Sequence, residues 1–131
     1  MIDEPKVELA YPKKRLPDEN TFRILILDTV ENTHLLKSAC KEVGHSVVAS
    51  QTIEEAFAFL DHENHADVII CGAYLEDESM MEFLQQLRKS PIHKETKFMT
   101  LSLAPGPIGH KLNTFTKKAA QLLGADAFVT M

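Results

Sequence analysis

From residue 22 to the end of the chain, short apolar runs rich in β-branched residues alternate with longer segments whose apolar positions recur at helical spacing. Residues 22–27, FRILIL, form an almost unbroken apolar run, the pattern of a strand buried on both faces. The segment ENTHLLKSACKEVG then places Leu35, Leu36, Ala39 and Val43 on one helical face, and Gly44 ends it as a C-cap. A shorter strand, HSVVAS, leads to TIEEAFAFLDHEN, which opens with a capping box, Thr52 and Glu55, and buries Ile53, Ala56, Phe57 and Leu60. Residues 67–72, DVIICG, are a third strand. Residues 79–89 are a helix with a second capping box, Ser79 and Glu82, and a stripe of Met80, Phe83, Leu84 and Leu87. Ser90-Pro91 stops that helix, because a residue before proline resists the helical conformation. KFMTLS is strand four, APGPIG a turn, HKLNTFTKKAAQLLG a helix ended by Gly124, and DAFVTM a fifth strand.

Strands that alternate with helices of this length imply βαβ units around a parallel sheet with both faces covered. Right-handed crossovers then favour a doubly wound five-stranded sheet, and ligands in such sheets sit beyond the carboxyl ends of the strands. Residues 1–21 follow another rule. Pro5, Pro12 and Pro17 and charges without period make them an extended arm, with Val7, Leu9, Tyr11 and Leu16 able to lie against something larger. The chain therefore divides into an arm, 1–21, and one domain, 22–131.

Composition narrows the function. A formal charge of −5 and a pI near 5.6 exclude nucleic acid as the main partner, since phosphate binding needs a basic face. Cys40 and Cys71 belong to no paired motif and read as two buried thiols in a reducing compartment, with the cytoplasm as the default location. No apolar run is long enough to cross a bilayer. His62 and His65 stand three apart but have no neighbouring Cys or His to complete a metal site, and they read as a solvated helix end. APGPIGH lacks the spacing of a phosphate-cradling loop.

ILILDTV at the first strand, DVIICGAYLEDESMMEFLQQLR around the third, LSLAP after the fourth and GADAFVT at the fifth together resemble the receiver domain of bacterial two-component response regulators, over residues 22–131. The resemblance implies a flavodoxin-like sheet of order 2-1-3-4-5. It also implies phosphoryl transfer from a histidine kinase to an aspartate, with Mg²⁺ beside it. The residues at the matching positions lack that chemistry. Gly72 stands where the acceptor aspartate belongs, and a glycine has nothing to phosphorylate. Of the acidic pair after strand one, Asp28 is present and the second position is Thr29; one carboxylate is a poor Mg²⁺ site. Met131 occupies the position of the lysine that pairs with the phosphoryl group. Ser102 and Phe128 match the hydroxyl and aromatic residues that respond to phosphorylation in the family.

The expectation is a pseudo-receiver: neither an enzyme nor a phosphoacceptor, without metal or cofactor, acting by protein–protein contact with a histidine kinase or another regulator. Asp28, Thr29, Gly72, Ser102, Phe128 and Met131 form its vestigial pocket. Two other readings differ in kind. One is a domain binding a nucleotide or flavin in the crevice that Gly72 opens; the other is a working receiver with Asp77 as acceptor. The cluster Glu76-Asp77-Glu78 reads as a favourable charge at the start of the helix that follows. Receivers usually end in a fifth helix, and the sequence stops after the fifth strand. The expectation is therefore an apolar face of roughly 300–600 Å², covered by the arm or by a second chain as a homodimer.

Overall fold

The computed structural model describes residues 22–61, 65–102 and 106–130, with side chains in the last stretch from Leu112 onward. The arm, His62 and Met131 lie outside the described residues. The elements are β1 (Arg23–Leu27), α1 (Val30–Glu42), β2 (Ser46–Ser50), α2 (Ile53–Asp61), β3 (Val68–Gly72), α3 (Met80–Lys89), β4 (Lys97–Ser102), α4 (Gly106–Leu122) and β5 (Ala127–Thr130). The strands are all parallel, in the order β2-β1-β3-β4-β5. This is the flavodoxin-like arrangement expected from the sequence.

Alternation along the strands sends side chains into two cores. Leu25, Leu27, Ile69, Cys71 and Phe98 face α2, α3 and α4, where they meet Ala56, Leu60, Phe83, Leu84, Leu87 and Ala120. Phe83 is the hub, edge-on to Phe57 at 5.4 Å and to Phe98 at 5.9 Å. On the opposite face Ile24, Ile26, Ile70 and Leu101 pack with Leu36 and Cys40 of α1. There Ile70 and Leu101 are buried, while Met99, Ala127 and Val129 are half-buried.

Three local expectations need correcting. On α1 the residues turned inward are Thr33, Leu36 and Cys40, whereas Leu35 and Val43 are about two-thirds exposed. A helix lying over the β1–β2 edge of a sheet buries a narrow stripe, so apolar residues one position off that stripe stay in water. Cys40 is consequently half-buried rather than buried, while Cys71 is enclosed; both are free thiols. The segment expected as a turn, APGPIG, is already helical from Gly106. Pro107 sits in the first turn, where its missing N–H has no helical partner to lose.

Hydrogen bonds that periodicity does not report fix the amino-terminal rim of the sheet. The residue just before β3, Asp67, accepts from the Arg23 N–H at 2.8 Å and donates its own N–H to the Arg23 carbonyl. Asp126, before β5, does the same to Phe98 at 2.9 Å, and His45, before β2, accepts from the Phe22 N–H at 3.0 Å. Each latch holds the start of one strand to the start of its neighbour. Arg88 at the end of α3 reaches the carbonyls of Lys94, Thr96 and Gly124 and the Asp126 carboxylate. Gly44 and Gly124, at φ 93° and 106°, stop α1 and α4 as their positions in the sequence predict.

Candidate functional site

The carboxyl rim is where chemistry would sit, and the strand order sets its centre. Because β1 lies beside β3 with Leu27 opposite Cys71, Asp28 and Gly72 emerge next to each other. Asp28 is 3% exposed. Its Oδ1 accepts from the Thr29 N–H at 2.7 Å and from Asn32 Nδ2 at 3.3 Å, and its Oδ2 is buried with no partner. Burial pushes the Asp28 carboxyl above the usual carboxylate range, against the opposing pull of those two hydrogen bonds.

Gly72 is not an opening. A Cβ at this position would stand 2.4 Å from Asp28 Oδ1 and 2.7 Å from Oδ2. The Asp28 carboxylate therefore fills the volume that a side chain at position 72 would need. Gly72 does not adopt the left-handed backbone, so space is what demands glycine here. The crevice expected beside Gly72 is thus largely closed. What remains is a cavity of about 200 Å³ between Asp28, Asn32, Tyr74 and Ser102.

The other anticipated residues separate by role. Thr29 is the N-cap of α1, its hydroxyl accepting from the Asn32 N–H at 3.3 Å, so the residue in place of a second carboxylate has structural work. Ser102 is buried, and its hydroxyl donates to Asn113 Oδ1 of α4 at 3.1 Å. Phe128 packs half-buried against the first core, beside Thr100 in strand register rather than beside Ser102. Met131 lies outside the described residues, so the rim opposite Ser102 is defined by Thr130. Sequence reasoning missed Tyr74 and Asn113. The Tyr74 hydroxyl donates to Asn113 Oδ1 and lies 3.4 Å from the Thr116 hydroxyl, which joins the β3 exit, the β4 end and α4 in one network. A signal was present: Asn113, Thr116 and Ala120 share one helical face, and it is the buried one.

A larger cavity of about 430 Å³ opens on the other side of Asp28, lined by Thr29, Gln51, Thr52, Glu76, Asp77 and Glu78 among others. Within the acidic cluster, one residue also serves the helix before it. Glu78 accepts from the Ile53 N–H at 2.8 Å and so caps α2, while α3 is capped by Ser79, as expected. The Thr52 hydroxyl takes the Glu55 N–H at 3.0 Å, but Glu55 returns its bond to Gln51, one residue before the expected donor. Among the described residues no three His, Cys, Asp or Glu side chains converge to hold a metal ion, and no helix is long and apolar enough to cross a membrane.

A pH dependence follows from Asp28. Burial makes the folded protein hold this proton more tightly than the unfolded chain does. The contribution is full below the ordinary carboxylate range and is lost as pH rises through the raised folded value. Asp28→Asn keeps the acceptor for Thr29 and removes the buried charge. Its melting temperature at pH 7.5 should exceed the parent's by about 3 °C, and the gap should close towards pH 4. A gap that is constant over that range would show that ionisation of Asp28 does not set it.

No protein-family model matches the chain, and no curated protein matches it. Solved structures do. The chain is similar to the chemotaxis response regulator CheY4 of Vibrio cholerae (18% identity, TM-score 0.68, 83% of this chain and 85% of that one). It is similar to the phosphorylated cyanobacterial phytochrome response regulator RcpA (19%, 0.70, 84% and 80%). A third match is the response regulator TrrA of Thermotoga maritima in complex with Mg²⁺ and BeF (25%, 0.62, 83% and 85%). The chain has the fold of a response-regulator receiver domain.

Proposed function

We propose that this chain is a receiver-fold signalling module that accepts no phosphoryl group. It acts in a two-component or phosphorelay pathway in the cytoplasm by contact with a protein, a histidine kinase or another regulator, and catalyses nothing. Residues 22–131 are the working domain and residues 1–21 its arm. One observation carries the reading: the acceptor position is Gly72, and the Asp28 carboxylate lies where an acceptor side chain would have to be. Thr29, engaged as a helix cap, supports it, because a metal at the rim would have one carboxylate of the usual pair. Ser102 is likewise committed, to Asn113, and the Tyr74 hydroxyl bonds the same Asn113 Oδ1, so both residues are tied to α4.

Nothing favours the nucleotide or flavin reading. The cavity over Gly72 is smaller than the roughly 300–1,000 Å³ of ordinary ligand sites. The larger one is lined by four carboxylates that repel phosphate, and Asp77 stands among them without a cation to stabilise an acyl phosphate. Self-association is part of the proposal, through the β3–β5 side of the sheet opposite α3, where Met99, Ala127 and Val129 are half-buried.

The test is exposure of the pure protein to beryllofluoride with Mg²⁺, and separately to acetyl phosphate, followed by amide NMR. The expected result is a spectrum that does not move. A saturable set of shifts around Asp28 and Gly72 would overturn the reading.

A further inference from the structure

Strand β2 is an edge of the sheet, paired among the described residues with β1 alone. Its sequence, SVVAS, holds neither charge nor proline, two devices that keep an exposed edge from pairing. Ser46, Val48 and Ala49 are exposed. The Ser46 N–H is bonded to the Phe22 carbonyl, and successive residues of a strand turn their backbone groups to opposite sides. Val47 and Ala49 therefore present theirs away from β1. Beside α2, Val48 borders a hollow of about 70 Å³ with Phe59 and Ala66.

The chain carries a segment that suits this edge. Phe22, the first described residue, is tied to the start of β2: its N–H donates to His45 Nδ1 and its carbonyl accepts from the Ser46 N–H, both at 3.0 Å. The arm therefore joins the domain beside β2. Within it VELAY, residues 7–11, places Val7, Leu9 and Tyr11 on one face of an extended strand and Glu8 and Ala10 on the other. This run is as long as β2, and Pro12, with no N–H for a ladder, ends it. Residues 12–21 remain to reach Phe22, and such a length spans up to about 33 Å. A strand outside β2 stands about 10 Å from β1, whereas one beyond β5 stands about 19 Å away. Because the run leads to the rim where β1 and β2 both begin, the direct connection sets it antiparallel to β2, a common edge on an otherwise parallel sheet.

We propose that residues 7–11 of the same chain add to β2 as a sixth, antiparallel edge strand, with Ala10 opposite Val47, Leu9 opposite Val48 and Glu8 opposite Ala49. Leu9 then lies beside Val48 at the hollow by Phe59, and the β3–β5 side of the sheet stays open for self-association. The inference does not depend on whether the chain takes a phosphoryl group. The test is amide hydrogen exchange of the full chain, read residue by residue by NMR. Glu8, Ala10, Val47 and Ala49 should exchange at least about tenfold more slowly than in an unstructured peptide, while Val7 and Leu9, whose N–H groups face outward, should not. Ala10→Pro removes one of these four donors and lies outside the domain. It should return Val47 and Ala49 to fast exchange while Ile26 and Ile70, inside the sheet, stay slow. The proposal is overturned by fast exchange at Val47 and Ala49 in the parent chain or by slow exchange there that survives Ala10→Pro. It is equally overturned by protection that grows with protein concentration, which would assign the edge to a second copy, or by an Ala10→Pro effect that falls on β5 in place of β2.

Discussion

Gly72→Asp should destabilise the protein by about 3 kcal/mol and still not be labelled by acetyl phosphate with Mg²⁺. The new side chain has no place to go. Its Cβ alone would fall 2.4 Å from Asp28 Oδ1, so either the backbone yields or Asp28 leaves its bonds to Thr29 and Asn32. Two carboxylates forced together would then share a proton, which weakens both as nucleophiles. Thr29 would remain a helix cap rather than a metal ligand. Asp28→Ala in the same background should return more than half of the lost stability, a coupling of about 1–2 kcal/mol between neighbouring sites. Urea melts of the four proteins give the cycle. Additive single-mutant costs would mean that the two positions do not compete for space, and robust labelling of Gly72→Asp alone would refute the argument that Thr29 and Met131 leave the metal and the phosphoryl group undersupported.

Arg88→Ala should cost about 3 kcal/mol and lower the melting temperature by about 10 °C. The guanidinium donates to the carbonyls of Lys94 at 3.1 Å and Thr96 at 2.7 Å, meets the Gly124 carbonyl through two nitrogens at 3.1 and 2.9 Å, and pairs with Asp126 at 3.2 Å. Its side chain is 19% exposed, so these acceptors are partly shielded from the water that would replace it. Arg88→Lys should recover little, because a single ammonium cannot reach acceptors on both sides of a planar fork. Calorimetry decides the matter. A loss below 1 kcal/mol for the alanine variant, or full recovery with lysine, would show that Arg88 is a surface charge rather than a clamp.

The sheet was readable because each strand and helix announces itself by period. FRILIL, DVIICG and the Met80–Phe83–Leu84–Leu87 stripe are found where their spacing puts them. The glycine at position 72 was also legible, since one residue type at one position decides it. What fills the space beside it was not. That Asp28 folds over Gly72 depends on the β1–β3 register, which joins residues 44 apart in the chain. Nothing in the sequence singles out Arg88, because its acceptors are mostly backbone carbonyls, which every residue has. The face of α1 departs from expectation for a related reason: Leu35 and Val43 are apolar but lie off the stripe that α1 turns to β1 and β2, and periodicity carries no information about how much of a helix a sheet covers. The polar network of α4 hid behind the same assumption, that apolar means inside.

The latches at His45, Asp67 and Asp126, with the Arg88 clamp, lie at the end of the sheet away from Asp28 and Gly72. The molecule thus separates the parts that keep it folded from the parts that would do chemistry. A substitution at the carboxyl rim that leaves the bonds of Thr29, Ser79 and Ser102 intact therefore leaves every one of these strand starts tied.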